Sequence, residues 1–139
     1  MKGKLSWPIF WALIVVFIVL AISIFTPAAA FAPTFRRSLF LWVFFISGAA
    51  FFLLGGALIF FTVKEKVGGM SKKFLILTGA SAVGLPVFVL LHNAIYGLFN
   101  VEEPVFFITA TLVCPIGFLV GAVGSVVLAI KNKRAKYSS

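Results

Sequence analysis

SLFLWVFFISGAAFFLLGGALIFFTV, residues 38–63, runs for 26 residues without one charged side chain. As a helix it is about 39 Å long, more than the roughly 30 Å of a bilayer's hydrocarbon core. Inside lipid no water is available to bond the backbone N–H and C=O groups, so such a stretch must be helical. Working outward, residues 8–25, 74–99 and 104–130 repeat the pattern, each uncharged at neutral pH and at least 18 residues long. Together they predict an all-α fold: a four-helix transmembrane bundle with short loops, forming a single integral membrane domain over residues 1–139. Hydrophobic residues make up 63% of the chain, against about 45–50% in soluble globular proteins. A water-soluble bundle of this composition would expose too much apolar surface.

The net charge of +9 suggests nucleic acid until its placement is read. Lys2 and Lys4 precede the first run, and Arg36 and Arg37 separate the first from the second. Lys64, Lys66, Lys72 and Lys73 lie in the next connection, and Lys131, Lys133, Arg134 and Lys136 follow the fourth run. Alternating sides gives ten basic residues on one face of the membrane and two on the other. Cytoplasmic segments retain Lys and Arg, so both termini are expected in the cytoplasm, with the protein in the cell membrane. The cations flank spans rather than a folded domain. They are expected to meet anionic lipid headgroups, and nucleic acid is not an expected partner.

The first run has 13 Leu, Ile, Val or Phe residues, which favours insertion by several kcal/mol at about 0.3–0.6 kcal/mol each. Thr26-Pro27 is expected to end this helix before an outer loop. The segment also imitates a signal peptide: Lys2 and Lys4, an apolar stretch, then small residues across Ala28–Ala30 or Ala30–Ala32. An apolar stretch near 18 residues exceeds the 7–15 typical of such signals, so retention as a first span is expected.

The third and fourth runs are expected to kink, because Pro86 and the Cys114-Pro115 pair interrupt them and a proline removes one helical hydrogen bond. In the second run Gly48 and Gly55 are seven apart and share a face. Gly117, Gly121 and Ser125 in the fourth run are spaced by four, and Ala80-xxx-Gly84 offers a shorter strip in the third. Such spacing lets backbones approach closely in lipid, whether between helices three and four or across a homo-oligomer or partner-subunit contact.

The most functional-looking stretch joins runs three and four. His92 and Tyr96 are four apart on one helical face, Asn93 and Asn100 are close by, and Glu102 and Glu103 follow. His92 lies 18 residues beyond Phe74, about 27 Å along the helix, and so near the outer headgroups. The cluster reads as interfacial anchoring, or as a site facing an outer-leaflet cavity with a carboxylate as counter-ion to His92.

One histidine, one cysteine and no aspartate cannot build a four-ligand zinc site, and paired-histidine haem ligation needs a second subunit. Phosphate loops, dinucleotide fingerprints and serine-nucleophile motifs are absent. Neither an enzyme nor a bound cofactor is expected. The expectation is a non-catalytic accessory subunit or self-associating bundle. A small transporter or channel using the cluster around His92 is the alternative.

Overall fold

The computed structural model describes residues 3–25 and 34–138. The small residues at 28–32, the helix end at Thr26-Pro27 and the outer loop lie outside the described residues, as do Lys2 and the side chains of Arg36 and Arg37. The described chain is helical almost throughout: α1 (Ser6–Phe25), α2 (Thr34–Lys64), α3 (Gly69–Phe99), α4 (Pro104–Ile108), a π turn (Thr109–Val113) and α5 (Cys114–Ser138). α4, the π turn and α5 form one continuous span. Four helices are thus long and apolar enough to cross a membrane, and the protein is a four-helix membrane bundle.

The helices outrun the apolar stretches, because Lys and Arg are good helix formers and charged turns are stable in the headgroup layer. α3 begins at Gly69, five residues before the third apolar run, and α5 extends through the basic tail to Ser138. Only residues 65–68 therefore separate α2 from α3. The reversal is made with two left-handed residues, Lys66 (φ 53°) and Gly69 (φ 65°). At Gly69 a side chain would be strained.

α3 is the centre of the bundle, packed most extensively against α2 on one side and α5 on the other, while α1 packs on α2. Lipid tails are as apolar as leucine, so dispersion and close approach hold these helices together, rather than escape from water. The α2–α3 crossing is made at Gly55 and Gly79. A Cβ on Gly55 would lie 2.9 Å from the Gly79 carbonyl oxygen, and a Cβ on Gly79 2.8 Å from that of Gly55. Gly48, which shares the Gly55 face in sequence, has nothing within 4 Å.

Mid-bundle, three aromatic rings close the interior. Phe118 of α5 stacks on Phe17 of α1 with centroids 4.4 Å apart and leans on Phe51 of α2 at 5.2 Å. Phe10, Leu13, Leu58, Leu75 and Ala82 extend this core toward the α2–α3 turn. The opposite end is looser: between residues 38 and 46 of α2 every side chain but that of Phe40 is exposed.

Pro86 lies inside α3, which continues through it. In the fourth span the change is one of register. Pro115 has no N–H to give, and the turn before it widens so that Cys114 N–H bonds Thr109 O. The Thr109 and Thr111 hydroxyls bond Val105 O and Phe107 O at 2.7 Å each. Both are bonds back to the preceding turn that satisfy the hydroxyls themselves, and neither reaches Thr111 O, the carbonyl four residues before Pro115.

Candidate functional site

At the end of the bundle away from the α2–α3 turn, α3 and α4 meet across residues 100–103. Asn100 takes the left-handed conformation (φ 52°, ψ 33°) and donates its N–H to Tyr96 O, closing α3. Asparagine tolerates that geometry better than other non-glycine residues. The Glu103 carboxylate then accepts the Phe106 N–H at 3.3 Å, with Pro104 in the first turn of α4. An N-cap carboxylate and an early proline suit a helix start.

This hairpin brings the sequence-predicted polar residues together. His92, Asn93, Tyr96, Glu102 and Glu103, with Pro104 and Phe107, line an open cleft of about 550 Å³. Asn100 does not line it; its backbone N–H caps α3. His92 is half-buried, its ring centroid 5.4 Å from that of Phe107, and its Nδ1 is 3.0 Å from the backbone oxygen of Glu103. A carbonyl oxygen can only accept, so Nδ1 carries a hydrogen in this contact. The expected carboxylate counter-ion is replaced here by a carbonyl contact, with the Glu103 carboxylate turned to the α4 N-terminus. Glu102 stays exposed. The cleft is thus lined by donor and acceptor groups together, at the end of the third and fourth spans. Among the described residues no group of three His, Cys, Asp or Glu side chains is placed to hold a metal ion.

The small-residue strip lies elsewhere, inside the bundle. Gly117 faces Ser81, Gly121 faces Thr78 and the Phe74 carbonyl, and Gly124 faces the Phe74 ring. Ser125 is buried at 1% exposure, and its hydroxyl has no partner. Gly84 faces the Cys114 sulfur. Ala80 is exposed, so the α3 strip opposite α5 is Phe74, Thr78 and Ser81. The Thr78 hydroxyl is held by Phe74 O at 2.8 Å. This strip is consumed by α3–α5 packing.

A third feature, Glu65, has no counterpart in the motifs. Its carboxylate reaches across the α2–α3 turn to the start of α1. There it accepts Leu5 N–H (2.6 Å), Ser6 N–H (3.2 Å) and the Ser6 hydroxyl (2.8 Å). It is the N-cap of a helix 59 residues away in sequence, satisfying donors that α1 leaves orphaned. The one available clue was a lone acid among the lysines of that turn.

Desolvation pushes the Glu65 carboxyl up, but the bonds from Leu5 and Ser6 outweigh it and hold it below the ordinary glutamate value. A depressed folded value means that the tether is at full strength above the ordinary glutamate range. It is lost as pH falls through the lower folded value. Glu65→Ala is expected to speed amide exchange at Leu5 and Ser6 about fivefold. Acidification should do the same to the parent and leave the variant unchanged; equal protection in both at neutral pH would refute the cap.

Comparison of the chain with protein-family models, with curated proteins and with solved structures finds no match.

Proposed function

We propose that this is a non-catalytic assembly module of the cell membrane, a four-span bundle that associates with itself or with other membrane subunits, its termini cytoplasmic and α1 retained. The observation that carries it is the Phe17–Phe51–Phe118 cluster, which fills the bundle at mid-height. A pore or carrier needs polar or ionisable groups at that depth. Among the described residues the charged side chains sit at the two ends, and the interior polar groups are the small Thr, Ser and Cys114 side chains engaged in helix packing. Retention of α1 is supported by Phe10 and Leu13, both at 0% exposure, and by the Glu65 cap. The ten-to-two distribution of basic residues supports the orientation.

Since α3 occupies the Gly117–Gly121–Ser125 strip, association falls to lipid-facing surface, and the outer part of α2 has the most of it. Lipid-facing surface continues into the inner half of α2, where Gly56 is exposed with nothing within 4 Å, so a leucine fits the protomer yet blocks a neighbour. Gly56→Leu should leave thermal stability within about 0.5 kcal/mol of the parent while abolishing self-association or partner retention in native mass spectrometry. Proteoliposome flux lost on His92→Ala would instead favour the transporter reading, which rests on the outer cleft. Parent protein that stays monomeric and partner-free in mild detergent would overturn the assembly reading.

A further inference from the structure

The inner end of the bundle carries like charges that no acidic side chain of the described α3 and α5 residues balances. On α3, Lys72 and Lys73 directly precede Phe74, the residue that Gly124 of α5 packs against. On α5, Lys131 follows Gly124 by seven residues, about 10 Å along the helix, with Lys133, Arg134 and Lys136 beyond it. All six are exposed. Close packing of α3 on α5 therefore brings two cationic clusters to one end of the bundle. Neither α5 nor the first turn of α3 contains an acidic residue. The acid of the α2–α3 turn, Glu65, is bonded to the start of α1.

At 100° per residue the four α5 cations point to all sides of the helix rather than along one stripe. The apolar run ends at residue 130. The cations of residues 131–136 therefore lie within about 9 Å of the hydrocarbon edge, close to the 5–8 Å depth of a headgroup layer. A protein partner docks on one face of a helix. A helix that crosses a headgroup layer meets phosphates on every side, and that is the pattern these residues match.

We propose that the inner end binds anionic lipid headgroups, whose phosphates serve as counter-ions between the lysine pair of α3 and the basic tail of α5. This requires only that the chain spans the bilayer. It does not depend on orientation or on the assembly reading, and failure of the Gly56→Leu experiment leaves it untouched.

The test uses the full chain in nanodiscs of phosphatidylcholine, with or without phosphatidylglycerol. Phosphatidylglycerol should raise the melting temperature, and native mass spectrometry should show it retained at least about fivefold over phosphatidylcholine. The combined Lys131→Gln, Lys133→Gln, Arg134→Gln and Lys136→Gln variant should lose both effects. Should that variant not fold, high salt applied to the parent must abolish the preference. Equal melting and retention in the two lipids would overturn the proposal, as would a preference that persists in the variant or in high salt. The same stabilisation by inorganic phosphate in phosphatidylcholine discs would overturn the lipid assignment.

Discussion

Gly121→Leu is expected to cost about 3 kcal/mol of protomer stability, at the upper end of the range for overpacking. A Cβ at this position would fall on the Thr78 hydroxyl, 2.8 Å from Thr78 N and 2.9 Å from Phe74 O. Two of those atoms are backbone, and the third is tied to Phe74 O by its own hydrogen bond. None can give way without α3 and α5 separating. Separation loses the dispersion contacts that hold helices together in lipid, and no hydrophobic transfer term offsets it. Reversible unfolding in mixed micelles would measure the loss. A comparison of glycines sharpens the test. At Gly124 the obstacle is the Phe74 side chain, whose Cγ would lie 2.7 Å away on the axis about which the ring turns, so Gly124→Ala should cost about 1–2 kcal/mol, less than Gly121→Leu because a side chain rather than backbone must shift. A Gly121→Leu variant as stable as the parent would show that the strip is not the α3–α5 contact.

Phe118→Ala should have a similar effect by the opposite route, through an empty space. The side chain is 1% exposed, stacked on Phe17 and tilted against Phe51. In water its removal would forfeit both transfer and packing energy. In a bilayer only packing is at stake. A residual cavity of about 100 Å³ at roughly 24 cal/mol per Å³ costs about 2.4 kcal/mol. Each lost ring pair adds about 0.5–1.5 kcal/mol. We expect about 3.5–5.5 kcal/mol in total, with α1 the first element to loosen, since Phe118 links it to α5. Amide exchange should rise most around Phe17. Phe118→Leu should recover more than half of the loss. Uniform loosening of all four spans would argue against Phe118 as the link to α1.

The cleft around His92 was legible in the sequence because its residues are close along the chain. His92 and Tyr96 share a helical face, and a short turn returns Glu102 and Glu103 beside them. What spacing could not give was the use of each group. The reversal at residues 100–103 turns Asn100 into a backbone cap and aims the Glu103 carboxylate at Phe106 N–H. His92 then meets a carbonyl instead of a charge. The Glu65 cap was hidden for a different reason: its partners lie 59 and 60 residues away, and no local pattern reports a contact closed by two antiparallel spans.

By itself the sequence determined that four helices cross the membrane, roughly where each begins and ends, and which end of the bundle is cationic. These are local properties: every backbone polar group in lipid must be bonded within its own helix, and charge is tolerated only at the boundaries. Tertiary structure alone decided which face of each helix is core. In water an amphipathic stripe marks that face, but here both the buried and the lipid-facing sides are apolar. Phe118 and Leu119 look alike in the sequence, yet Phe118 is 1% exposed and Leu119 50%. Likewise Gly79 makes a crossing and Ala80 faces outward, a choice set by which backbones approach most closely.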